Sequence, residues 1–244
     1  MYDHFLVEKA DRIATITLNR PEKRNPINED MLREFEVILL DLQDDADSRV
    51  VILTGTGNSF SAGADLTIVK GITDESERQR LFAQARNRRA RFIGRTFSLL
   101  ENLEQLSIAA INGYAIGGGW GLALACDFRI AVPGAQFWFP EVDLGVPLSL
   151  GSSARLFGMV GASRAKEIIL MCDRYTSEDL LSWGMVSRIV PPGQLLETAR
   201  EFAARLMAKH PRAVTGSKLT VNTLAAVAAR EMSTVQPDLF IHNP

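Results

Sequence analysis

Residues 108–126 read Ile108-Ala109-Ala110-Ile111-Asn112-Gly113-Tyr114-Ala115-Ile116-Gly117-Gly118-Gly119-Trp120-Gly121-Leu122-Ala123-Leu124-Ala125-Cys126, and the fold turns on how that run is taken. It is long and apolar enough to suggest a membrane span. Asn112, the glycines and the lack of a Lys/Arg cluster at either end argue against one. The better reading is a buried strand over 107–116, a turn at Gly117-Gly118-Gly119 and a short apolar helix over 120–126. Glycine lets the main chain approach a ligand closely. A helix start offers unpaired N–H groups and the positive end of the dipole. Such a turn can hold a developing oxyanion. Close packing of helix on strand accounts for the same glycines, and the run alone leaves both readings open.

Outward from this run, the pattern alternates. Residues 5–9 and 13–18 form a hairpin signal around Ala10-Asp11-Arg12. A polar loop with two prolines follows at 19–26. Asn28 then caps a helix with Met31, Leu32, Phe35, Ile38, Leu39 and Leu42 at helical spacing. Val50-Val51-Ile52-Leu53 is a buried parallel strand, and a small-residue loop over 55–65 follows it. Residues 74–104 suit one long helix or two. Strands are expected at 128–132, 136–139 and 186–190, and helices at 162–171, 177–183, 194–209 and 211–230. Strand and helix alternating, then helices alone, make an α/β fold with a helical C-terminal region. No repeat or flexible linker divides the chain.

Composition removes several functions. The 244 residues are 46% hydrophobic, with Lys+Arg 27 against Asp+Glu 29. That near-neutral balance points to no nucleic acid and no membrane surface. Cys126 and Cys172 cannot build a disulfide framework, and His4, His210 and His242 follow no metal-ligand spacing, so no metal is expected. The N-terminus lacks a basic stretch followed by an apolar one; a cytoplasmic setting is expected. Gly55-Thr56-Gly57 lacks the rest of a dinucleotide fingerprint, and no phosphate-binding lysine loop or nucleophilic serine elbow occurs.

Four ordered motifs carry a resemblance: NRPEKRNPIN at 19–28, SFSAGADL at 59–66, INGYAIGGGWGLALACDFRIA at 111–131 and FPEVDLGVP at 139–147. Together they resemble the enoyl-CoA hydratase/isomerase (crotonase) family, over residues 5 to about 230. The resemblance implies a crotonase-like spiral of ββα units over 1–190. A helical region at 191–244 would serve trimerisation and the acyl pocket. The assembly would be a homotrimer or a hexamer of two trimers. The substrate would be an acyl-CoA thioester, with no separate cofactor. Two backbone amides, carried over as the N–H groups of Ala64 and Gly118, would hold the thioester oxygen. Each fixed donor contributes about 3–4 kcal/mol to an enolate-like transition state.

By the same resemblance Glu141 is the acid/base. Phe137, Trp138, Phe139 and Pro140 precede it, and an apolar wall raises a carboxyl pKa toward neutrality. The family's hydratases carry another glutamate two residues after the GGG turn, where this chain has Gly121. With one carboxylate, moving a proton from C2 to C4 is easier than adding water, so double-bond isomerisation is favoured. Hydration by Glu141 alone, another crotonase chemistry (decarboxylase, C–C lyase or hydrolase) and a catalytically weak acyl-CoA-binding scaffold are the alternatives. Ser149 stands where some relatives carry a catalytic aspartate.

Substrate and CoA contacts are expected from Ala62, Asp65 and Leu66 around the oxyanion loop, from Lys23 and Arg24, and from Lys218. Trp120 and Trp138 flank the site, either as acyl-pocket walls or as core. Arg86, Arg88, Arg89, Arg91 and Arg95 read as a solvated face or subunit contact before a phosphate site. The chain stops at Asn243-Pro244, ahead of the last helix the resemblance leads one to expect.

Overall fold

The computed structural model describes residues 2–67, 71–148 and 150–233. Ser149, the side chains of Arg86, Arg88, Arg89 and Arg91, and the chain end from 234 lie outside the described residues. Two sheets organise the molecule. The larger runs β1(Phe5–Ala10), β2(Ile13–Leu18), β3(Val50–Gly55), β5(Leu106–Ile111), β7(Phe128–Ala131) and β10(Arg188–Ile189) in that spatial order. The smaller runs β4(Ser59–Ser61), β6(Tyr114–Ile116), β8(Gln136–Trp138) and β9(Tyr175–Thr176). Seven helices are described: α1(Glu29–Gln43), α2(Glu75–Glu101), α3(Gly118–Leu124), α4(Leu150–Met171), α5(Ser177–Ser182), α6(Leu195–Met207) and α7(Pro211–Ser233).

The chain order explains the shape. β3, β4 and α2 follow one another, then β5, β6 and α3, then β7, β8 and α4. Each round places one strand in each sheet and then one helix, with parallel pairing between successive rounds. This is the spiral of ββα units that the resemblance leads one to expect. β5 is buried along its whole length, as a parallel strand covered on both faces must be.

The segment read as one strand over 107–116 is two. The chain breaks at Asn112-Gly113, where Asn112 Nδ2 donates to Gly55 O (2.8 Å) and Gly57 O (2.9 Å), and β6 then joins the other sheet. Because this run is strand, turn and short helix, it is not a membrane helix. No described helix is long and apolar enough to cross a membrane.

Local chemistry sets the ends. β1 and β2 close through Asp11 and Arg12, both at positive φ, the geometry of a two-residue I′ hairpin turn. Asn28 caps α1 by accepting from Met31 N at 2.8 Å. Within 74–104 there is one helix, α2(Glu75–Glu101), capped by Asp74. α4 starts twelve residues before its expected position and kinks at Gly161 (φ 72°). The short α3 ends on the buried Arg129 guanidinium, which donates to Cys126 O (2.7 Å) and Ala123 O (3.3 Å).

Candidate active site

The site grows from three loops that the two sheets bring together. The first is 19–28. Asn25 is fully buried and bonds at both ends of its amide. Its Oδ1 accepts from Arg20 N (2.8 Å), and its Nδ2 donates to Thr56 O (3.0 Å) and Ser59 O (2.8 Å). Ser61 Oγ donates to Asn25 O at 2.7 Å. Ile27 then brackets residue 64 as a parallel bridge: Ile27 N donates to Gly63 O at 2.6 Å, and Asp65 N to Ile27 O at 2.9 Å. In such a bridge the amide of Ala64 points away from Ile27.

The second loop is the glycine turn. Gly117 has φ 49° and ψ −120°, a conformation only glycine adopts without strain. Its N–H donates to Trp138 O at 3.0 Å, which pins the turn to β8. Gly118 is the first residue of α3, so its N–H has no acceptor within the helix. A Cβ added at Gly63 would meet Ile116 O and stand 3.4 Å from Gly118 N, so the 62–64 and 116–118 turns lie directly on each other. Neither the Ala64 nor the Gly118 amide is bonded to an acceptor among the described residues.

The third loop carries Glu141, at the head of a tight turn closed by Val146 N donating to Glu141 O at 2.9 Å. Its carboxyl lies against Gly117: a Cβ there would stand 2.8 Å from Glu141 Oε1 and 3.6 Å from Cδ. Oε2 is buried and has no partner among the described residues. Burial pushes the Glu141 pKa up to about 7. A group that is part carboxylate and part acid near neutrality can both take and return a proton.

Gly121 lies one turn beyond Gly117, its N–H accepted by Gly117 O at 2.9 Å. A Cβ on Gly121 would stand 2.5 Å from Ser152 Oγ and 3.3 Å from Phe97 Cε2. Ser152 and Phe97 are themselves buried. The wall beside the turn is therefore filled from α4 and α2.

The other expected residues are placed as follows. Lys218 differs from expectation. Its ammonium is buried and donates to Gln105 O and Asp127 Oδ2, both at 2.8 Å, so it ties α7 to the far end of α3 instead of standing free for a phosphate. Asp65 is likewise committed to the loop itself, with Arg20 Nη1 at 2.9 Å and Thr67 Oγ1 at 2.6 Å.

Trp120 is fully buried and stacks on Phe139 with ring centroids 4.3 Å apart; it is core. Strand alternation turns Trp138 the other way, onto Tyr114 (6.3 Å) and under Arg174 (4.7 Å). Lys23 and Arg24 are exposed on the 19–28 loop, with Arg24 over the Tyr114 ring. Leu66 is exposed, and Ala62 N donates to Arg24 O at 2.8 Å. Arg95 pairs with Glu36.

Sequence reading passed over Arg20, Asn25, Ser61 and Ser152. A polar residue between Arg24 and Pro26, in a loop that must bend, was the available signal for Asn25. Among the described residues no cluster of three or more His, Cys, Asp or Glu is placed to hold a metal.

The family model described as Enoyl-CoA hydratase/isomerase matches residues 8–243. A short-chain-enoyl-CoA hydratase of Clostridium acetobutylicum is 36% identical over 221 residues, covering 90% of this chain and 81% of its own. A crotonyl-CoA hydratase of Syntrophomonas wolfei is 33% identical over 240 residues, covering 98% and 89%. Among solved structures, a monofunctional enoyl CoA isomerase from M. smegmatis aligns with a TM-score of 0.76 and 34% identity, covering 92% of this chain and 95% of that one. With its spiral, its paired turns and its buried glutamate, the chain belongs to the enoyl-CoA hydratase/isomerase family.

Proposed function

We propose that this protein moves the double bond of an enoyl-CoA thioester, with Glu141 as its single acid/base. The thioester oxygen accepts from the N–H groups of Ala64 and Gly118. Glu141, ionised, removes a proton from C2 of a 3-enoyl chain. The electron pair passes into the carbonyl, and the enolate oxygen draws on both amides. Glu141, now protonated, returns the proton at C4, giving the 2-enoyl thioester and regenerating the carboxylate. No atoms are gained or lost, and no cofactor beyond the CoA of the substrate enters. Ala62 and Leu66 border the acyl end, and Lys23 and Arg24 face the CoA nucleotide. A homotrimer or hexamer is the assembly proposed.

The observation that carries this reading is the contact of the Glu141 carboxyl with Gly117, on the turn that presents Gly118. A second reading, hydration of 2-enoyl-CoA, is favoured by the names of the bacterial relatives. Incubation with 2-enoyl- and 3-enoyl-CoA of several lengths in deuterated water, with products identified by mass spectrometry, separates the two. Deuterium uptake and bond migration without added water support isomerisation. A 3-hydroxyacyl product as the main species overturns it.

A further inference from the structure

Gly121 and Ser152 interlock. The hydroxyl of Ser152, on α4, stands 2.5 Å from where a Cβ on Gly121 would be, and the edge of Phe97, on α2, closes the same space at 3.3 Å. All three positions are buried. Gly121 is one helical turn from Gly117, and residues four apart share a helix face. Side chains on a helix lean toward its N-terminus. An acidic side chain at 121 would therefore lean back toward Gly117, where the Glu141 carboxyl already lies. Adding water across a double bond calls for one group to orient the water and another to handle the α-proton. The space for that second group is the space Ser152 occupies.

We infer that Gly121 and Ser152 set the reaction outcome as a pair: position 121 carries no side chain, and the Ser152 hydroxyl, wedged beside Phe97 into the space a side chain there would need, keeps a second acid/base off the wall next to Glu141. This deepens the single-carboxylate reading above and rests on it. Ser152 Cβ lies 3.6 Å from the added Cβ, an ordinary contact, so removing the hydroxyl alone relieves the overlap. Phe97 leaves a tighter margin and limits how far a larger residue can turn.

The test compares wild type, Gly121→Glu, Ser152→Ala and the double variant on 2-enoyl- and 3-enoyl-CoA in deuterated water. The double variant is expected to form 3-hydroxyacyl-CoA about 10²-fold faster than wild type, with no such gain in either single variant. A folded double variant with no gain, or an equal gain from Gly121→Glu alone, overturns the inference. Should the double variant fail to fold, Gly121→Ala is melted with and without Ser152→Ala. Recovery by the serine change of the melting point lost at 121 is expected; simple addition of the two losses overturns the interlock. A wild-type protein that itself hydrates 2-enoyl-CoA would count against isomerisation as the native reaction, while the melting pair would still decide the interlock.

Discussion

The Glu141 carboxyl rests on the α-carbon of Gly117, close enough that a single methyl group there would stand 2.8 Å from Oε1. The acid/base and the turn that presents the oxyanion donor are therefore one packed unit, though they come from separate rounds of the spiral. Glu141→Gln keeps the shape and removes the ionisable carboxyl. Turnover of 3-enoyl-CoA is expected to fall at least ~100-fold, with an unchanged circular dichroism spectrum. Activity near that of wild type would remove Glu141 from the mechanism.

Gly117→Ala combines that contact with a backbone at φ 49°. The strain is expected to cost about 1–3 kcal/mol, and the displaced carboxyl should lower kcat more than it raises KM. Thermal melting and steady-state kinetics on the same preparation check both parts.

The pH profile follows from burial of Glu141, which raises its pKa to about 7. The ionised form is the base, so kcat/KM for isomerisation should rise with pH through about 7 and then level off. Stability runs the other way. A raised carboxyl pKa favours the folded state fully below the unfolded value, and this advantage is lost as pH rises through about 7. Glu141→Gln should therefore melt above wild type at pH 8, by up to about 3 kcal/mol, and the gap should close below pH 4.5. A gap independent of pH would remove the buried carboxyl as its cause.

Lys218 separates a structural role from a substrate contact. Lys218→Ala leaves the Asp127 carboxylate without its buried partner and is expected to destabilise by about 3 kcal/mol or more. KM for acyl-CoA should stay within about twofold at a temperature where the variant is folded. A KM rise of tenfold or more with little change in melting would return Lys218 to the CoA site.

Arg20 and Asp65 hold the loop that carries Ala64. Burial raises the Asp65 pKa, but the hydrogen bonds from Thr67 and Arg20 outweigh it and hold the carboxyl below its usual range. Its contribution is thus present above the unfolded pKa and lost as pH falls. Arg20→Ala removes the cation beside the buried Asp65 carboxylate and should destabilise more than Asp65→Asn, by about 1–2 kcal/mol. Chemical denaturation of the two variants measures that difference.

Much of this architecture was readable beforehand. Period-2 alternation placed β2, helical spacing placed α1 and continuous apolar runs placed β3 and β5, because these patterns are local properties of the chain. The four motifs pointed to Glu141, Ala64 and Gly118, and the comparisons agree with the family those motifs resemble. The break inside 107–116 was harder to read. An Asn-Gly pair interrupts many strands, and only the carbonyls of Gly55 and Gly57 give Asn112 a reason to turn the chain into a second sheet. Lys218 was assigned from its position near the end of the matching sequence, while its partner Asp127 lies 91 residues earlier.

By itself the sequence determined the list of parts: a glycine turn after a buried strand, a lone glutamate behind an apolar run, and an even charge balance without metal-ligand spacing. Tertiary structure alone decided that Glu141 packs on Gly117, that Ser152 closes the space beside Gly121, that Asp65 pairs with Arg20 and that Lys218 pairs with Asp127. The physical reason is that periodicity and propensity act over a few residues, whereas these contacts depend on the register of parallel strands and on helices packed across them. That register is fixed only when the whole core closes.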